Sequence, residues 1–229
     1  MGFPETLSWW EQGEKVFAHT LDGLSENDYD KPSLLPGWSR RKLLGHVARN
    51  AEALVNLLNW ARSGVETPMY ASPEDRERGI EETAKLALVE LLADYRACAA
   101  RLATAIKDLP EQAWANKVRT AQGREVPASE VPWMRCREVW IHAVDMDAGF
   151  GFEDIPSEIL AALVSDVFQM WERRNVTPAI KVHAEGHTWG AGSLEVEGEL
   201  AEIVRWLTGR GTSERIDAQI GSTQIPPWL

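Results

Sequence analysis

Cysteine is scarce in this sequence: Cys98 and Cys136 are the only two in 229 residues, which excludes a disulfide framework. Long apolar runs are missing too. No stretch approaches the ~18 consecutive apolar residues of a membrane helix, so no span is expected. The opening MGFPETLSWWEQGEKV lacks the basic-then-apolar order of a signal peptide, and with so few thiols the expected location is cytoplasmic. Basic charge is short: 24 Lys and Arg stand against 35 Asp and Glu, a net charge of −11. Neither half has the positive field that nucleic-acid binding requires, and an anionic ligand would need a local cation or a metal to hold it. There is no Gly-x-Ser-x-Gly, no phosphate loop and no Cys-x-x-Cys pair. A nucleophile carried by the chain is therefore not evident, and one brought in from outside is expected.

Tryptophan is plentiful, with 11 residues. Trp9, Trp10, Trp38, Trp60, Trp133, Trp140, Trp171 and Trp206 fall in or beside apolar-periodic stretches, as bulky core or pocket lining would. Helical spacing predicts a first helix over 5–24. Pro32, Pro36 and Gly37 then mark a loop, after which Ser39 caps a second helix over about 39–62 that Gly64 ends. A long polar connection over 63–79 leads to a third helix over about 80–107. Residues 111–130 read as irregular. Pro132 suits the first turn of a fourth helix over 131–148, stopped by Gly149 and Gly151. Beyond 150 the pattern changes to a helix over 156–174, strands at 178–184 and 192–198, a short helix at 199–208 ended by Gly209, and a last strand at 215–220. The expected fold is mainly α: a four-helix bundle over 1–150, then a smaller α+β domain over 151–229.

Two of five histidines, His46 and His142, lie inside strongly periodic helices, the second and the fourth. Glu138 precedes His142 by four residues, about 40° of helical rotation, so the two share a face one turn apart. With His46 from another helix they form a metal-binding set of the kind built inside helix bundles. Two imidazoles and one carboxylate suit zinc, iron(II), cobalt or nickel better than magnesium or calcium, and three protein ligands leave a position open for water or substrate. Spacing alone leaves another reading open, a surface glutamate and a hydrogen-bonded core histidine. Arg135, Glu138, His142 and Asp145 make one polar stripe, which a water-facing helix also shows. His46 and Asn50 form a similar patch one turn apart on the second helix. If Asp145 lies behind His142 it orients that imidazole. Cys136 stands roughly 200° around the helix from Glu138 and points off the stripe. It and Cys98 read as small buried residues, while His19, His183 and His187 lack ligand-spaced neighbours.

Leu35-Pro-Gly-Trp-Ser39, Leu43-Leu-Gly-His-Val47, Asn50-Ala-Glu-Ala-Leu54, Glu66-Thr-Pro-Met-Tyr70 and Ser72-Pro-Glu-Asp-Arg76 resemble segments of the DinB-like metalloenzymes, and within them of the mycothiol-dependent maleylpyruvate isomerases. Thr120-Ala-Gln-Gly-Arg124, Val126-Pro-Ala-Ser-Glu130 and the run from Trp133 to Asp145 are similar as well. So are the run from Gly198 to Arg205, Gly209-Arg-Gly211 and the ending Pro226-Pro-Trp-Leu229. The likeness is weakest over about 80–112 and 175–192.

The resemblance implies a DinB-like bundle with an α/β second domain, zinc held by His46, Glu138 and His142, and mycothiol, a cysteine-bearing pseudodisaccharide, as thiol cofactor. It implies conversion of maleylpyruvate to fumarylpyruvate in gentisate breakdown. Thiolate addition would remove the conjugated cis double bond, and rotation followed by thiolate loss would restore it as trans. A family arginine from the second domain, close to the metal, falls on Arg210. Arg210, with Arg76 or Arg135 as helpers, would hold the carboxylates of a small dicarboxylate substrate. DinB-like relatives that transfer thiols keep a mycothiol S-transferase open as an alternative. A non-catalytic metal- or ligand-binding protein is a second.

Overall fold

The computed structural model describes residues 2–228, so Leu229 of the closing motif lies outside the described residues. The chain divides into two compact units, Met1–Gly149 and Phe150–Leu229. Among the described residues no helix is long and apolar enough to cross a membrane.

The first unit is helical: α1 Phe3–Asp22, α2 Arg40–Ser63, α3 Pro73–Ala84, α4 Leu88–Lys107 and α5 Val131–Asp145. The predicted start of α2 holds, since the Ser39 side chain accepts from Lys42 N. Its end holds as well: Gly64 adopts φ 74°, a left-handed cap open to glycine at little cost. α1 packs on α5, and α2 packs on α3, α4 and α5. The α1–α5 approach is close because residue 13 is glycine. A Cβ there would lie 2.6 Å from Val139 Cγ2 and 2.7 Å from Trp140 Nε1. The fully buried Leu43, Leu44, Leu54, Leu57, Leu58 and Phe17 fill the space between these helices. Trp10, Trp133, Trp140, Trp171, Trp206 and Trp228 are buried, while Trp9, Trp38 and Trp60 are half-buried.

Several expected boundaries are corrected. The connection after α2 stops at Ser72, whose side chain accepts from Asp75 N and opens α3 with Pro73 in its first turn. The single helix expected over 80–107 is broken after Ala84 into α3 and α4. The turn is stabilised from α2, where Arg41 Nη1 donates to Leu86 O at 2.8 Å, and within itself, where Glu90 accepts from Ala87 N. The irregular 111–130 contains a short antiparallel hairpin, β1 Lys117–Arg119 with β2 Glu125–Pro127, centred on the buried pair Val118 and Val126. α5 stops at Asp145, short of 148, and Asp147 turns the chain with φ 50°.

The second unit has α6 Ser157–Arg173, a sheet of β3 Ile180–Ala184, β4 His187–Gly190 and β5 Leu194–Glu197, then α7 Leu200–Leu207 and α8 Glu214–Ile220. Strand order is β4-β3-β5, with β3 antiparallel to β4 and parallel to β5. The strand expected at 215–220 is the helix α8. Ile216 and Ile220, four apart, both bury on one face, and Gln219 bonds the backbone of Glu197 at 2.7 and 2.8 Å, finishing the end of β5. The closing segment docks on α6, where Trp171 Nε1 donates to Pro226 O and Trp228 Nε1 to a buried Asp166 carboxylate.

Candidate metal centre

α5 turns its polar stripe inward. Its end is tied to the start of α2 by Arg40, whose Nε donates to Met146 O at 2.5 Å and Nη2 to Asp147 O at 2.6 Å. Leu34 N donates to Asp145 O at 2.9 Å, so the loop before α2 rests on the same helix end. These ties hold His46 of α2 against Glu138 and His142 of α5.

The geometry is convergent. His46 Nε2 lies 3.0 Å and His142 Nε2 3.2 Å from the same oxygen, Oε2 of Glu138. The ligand atoms of the three side chains all fall within 4.8 Å of one another. Both histidines are buried, and the edge of Trp38 closes on His46 with ring centroids 5.8 Å apart. The outer nitrogens are also engaged. His142 Nδ1 meets Asp145 Oδ2 at 2.8 Å, with Asp145 fully buried, and Arg76 Nη2 meets His46 Nδ1 at 3.3 Å. Asp145 therefore sits behind His142 and fixes the proton on Nδ1, leaving Nε2 free to coordinate.

The protonation states follow from burial and neighbours. Burial alone would push the Glu138 carboxyl up, but the two imidazoles outweigh it and hold it well below the usual carboxylate range. His46 is pushed down, chiefly by burial. For His142 burial opposes the charge, yet Asp145 and Glu138 together prevail and raise its pKa to about 8. Without a metal, the proton on His142 supplies the positive charge that this carboxylate-rich pocket requires. A divalent cation would take over that role and release the proton. Two imidazole nitrogens and a carboxylate oxygen at this convergence fit such an ion.

Other expected residues meet different fates. The Arg135 side chain is fully buried, and its nitrogens are committed. Nε contacts Glu14 Oε1 at 2.7 Å, and Nη1 contacts Val47 O at 2.7 Å and Asn50 Oδ1 at 3.0 Å. In place of the expected substrate contact, Arg135 braces α1, α2 and α5, and Asn50 belongs to that brace. Arg76, on α3, stands beside His46 and over the Tyr70 ring at 5.8 Å. Gly45 allows this approach of α2 and α3, since a Cβ on it would come within 3.1 Å of Ile80 O. Arg210 belongs to the second unit, half-buried between Gly209 at φ 76° and Gly211 at φ 99°, with Nη1 donating to Thr208 O at 2.7 Å. Cys98 and Cys136 are buried as expected; burial raises the first thiol to about 12 and the second further, so neither is a ready thiolate. Sequence reasoning missed Glu14 and Tyr70. Glu14 follows Gly13 in α1 like any surface acid, and no local pattern betrays its partner on α5.

Residues 10–147 match the model of the mycothiol maleylpyruvate isomerase N-terminal domain. No curated protein matches significantly. Among solved structures, a mycothiol-dependent maleylpyruvate isomerase is 40% identical with a TM-score of 0.88, covering 93% of this chain and 91% of that one. A single-histidine-to-alanine mutant of that enzyme is 39% identical with a TM-score of 0.87 and the same coverage. With likeness of this degree along nearly the whole length, and a bundle that converges two histidines on one glutamate, the chain belongs to the mycothiol-dependent maleylpyruvate isomerase family.

Proposed function

We propose that this chain is a mycothiol-dependent cis-trans isomerase converting maleylpyruvate to fumarylpyruvate, with a divalent ion, zinc in this reading, held by His46, Glu138 and His142. The observation that carries the proposal is the approach of both Nε2 atoms to one Glu138 oxygen, in a family whose solved members are described as this isomerase. A bound ion of this kind supplies Lewis acidity, lowering the pKa of a coordinated thiol or polarising a carbonyl. The thiol cofactor supplies the reversible addition that lets a double bond rotate as a single one.

The chain's own groups do the rest. Asp145 holds the His142 tautomer. When His46 serves as a ligand through Nε2 its proton sits on Nδ1, where it faces the N–H of Arg76. Two donors cannot share that contact, so Arg76 is released for a substrate carboxylate. Arg210 is the second cation in this reading, and it rests on the family resemblance alone. The buried thiols of Cys98 and Cys136 leave the nucleophile to the cofactor and suit a reducing cytoplasm.

An ultraviolet assay of the metal-loaded protein on maleylpyruvate, with and without mycothiol, tests the proposal. Isomerisation that requires mycothiol and returns it unchanged is expected. Conversion without added thiol, or stable thioether accumulation as a transferase would give, overturns it.

A further inference from the structure

The chain has three tyrosines, and two of them are engaged within the fold. Tyr29 donates to Leu21 O at 2.9 Å, and Tyr95 faces the Glu14 carboxylate at 3.5 Å. The Tyr70 hydroxyl meets no acceptor among the described residues. Its position is nevertheless fixed. Asn56 Nδ2 donates to the carbonyls of Pro68 and Met69 at 3.3 and 3.4 Å, and Ala121 N donates to Met69 Sδ at 3.2 Å. α2 and the turn between β1 and β2 thus both hold the segment that carries Tyr70. Its ring lies beneath the Arg76 guanidinium, 5.8 Å from ring centroid to Cζ, and Arg76 in turn contacts His46 Nδ1. Tyr70 and Arg76 line one cleft of about 350 Å³, room for a small molecule. The phenol is close enough to the centre for the Glu138 carboxylate to act on it. Burial and then Glu138 push it up to about 12, against the pull of Arg76 and Arg135. At neutral pH Tyr70 therefore holds its proton and serves as a donor, not as a base.

An unengaged O–H beside a substrate-facing guanidinium points to an oxygen of the same substrate. In maleylpyruvate only the two alkene carbons separate a carboxylate from the conjugated ketone. Donors to these two groups must stand side by side, as Arg76 and Tyr70 do. We propose that Tyr70 is a catalytic residue of the isomerisation, its O–H bonding the ketone oxygen as negative charge gathers there. The proposal rests on the isomerase reading. In the addition step the thiolate sulfur bonds the alkene carbon β to the ketone. The alkene pair becomes a double bond to the carbonyl carbon, and the carbonyl π pair moves onto oxygen as an enolate. The former double bond, now single, rotates. The oxygen pair then returns, the trans double bond re-forms, and the C–S bond breaks with its pair leaving on sulfur. Tyr70 keeps its proton throughout. Its hydrogen bond strengthens as the oxygen gains charge, so it lowers the barrier more than it aids binding.

Tyr70→Phe is the test, since it removes one oxygen and keeps the ring under Arg76. In metal-loaded enzyme, kcat for mycothiol-dependent isomerisation should fall about 10²-fold or more. Both KM values should move less than about threefold, with metal content unchanged. A second readout needs no turnover. Acetylpyruvate keeps the β-diketone of the substrate, which ionises readily to an enolate, and lacks the alkene. Its Kd for the metal-loaded protein, measured by calorimetry, should weaken about tenfold in Tyr70→Phe. Wild-type kcat or wild-type acetylpyruvate affinity in Tyr70→Phe overturns the proposal and leaves the isomerase reading intact. A raised KM for maleylpyruvate at unchanged kcat overturns it as well, because Tyr70 would then act through Arg76 on substrate binding alone. If the wild type shows no mycothiol-dependent turnover, the isomerase reading and the proposal fall together.

Discussion

One face of α5 carries two polar clusters a turn apart, and they end in opposite states. At Arg135 the cluster is closed: the guanidinium meets a carboxylate, a carbonyl and an amide oxygen, each from α1 or α2. At Glu138 and His142 it is convergent: two imidazole nitrogens approach one carboxylate oxygen, so that only an added cation or a retained proton balances the group. Burial is similar at both, and residue type would have nominated both for ligand binding. What separates bracing from binding is whether each donor already has its own acceptor, or several lone pairs crowd one point.

Substitutions on that face test the contrast. His142→Ala should abolish the convergence and lower thiol-dependent turnover by at least ~10³-fold, with metal lost on elemental analysis. A folded His142→Ala protein that keeps its full metal complement would show that the ligand set is wrong. At the closed cluster, Arg135→Met should act on stability instead. It leaves the largely buried Glu14 carboxylate without its cation, with only Trp10 Nε1 and the Tyr95 hydroxyl as donors, at a cost of about 3 kcal/mol, read by denaturant unfolding. If Arg135→Met unfolds like wild type and loses substrate affinity, the two clusters are not opposites. Arg210→Ala extends the contrast to a half-exposed arginine of the second unit. Its kcat/KM should fall ~10²-fold, about 3 kcal/mol, with metal content and melting temperature unchanged, and Arg210→Lys should recover part. Normal turnover of Arg210→Ala at low substrate would confine the catalytic assignment to the bundle. The smallest effect is expected at Asp145→Asn, which keeps an acceptor near His142 Nδ1 and loses the charge. Zinc affinity, measured by chelator competition, should weaken ~10-fold. An unchanged affinity would make Asp145 a packing residue.

Sequence by itself determined whatever depends on near neighbours in the chain. The Ser39 cap, the Gly64 stop and the Glu138–His142 spacing are set within one or two helical turns, so they are legible without the fold. Asp145 behind His142 is legible for the same reason. Short-range pattern misled where two periods overlap: residues 215–220 are too few to tell strand alternation from the four-residue spacing of Ile216 and Ile220. The break between α3 and α4 is invisible locally because no glycine or proline marks it. A cation from α2, Arg41, stabilises that turn. Only tertiary structure decided that Arg135 is spent on Glu14, which is 121 residues away in sequence. Only it brought Arg76 to the back of His46 and left the buried Arg49 Nε without an acceptor. Helical periodicity assigns a side chain to a face. Which groups occupy the opposing face, and whether they complete its hydrogen bonds, is settled when the helices pack.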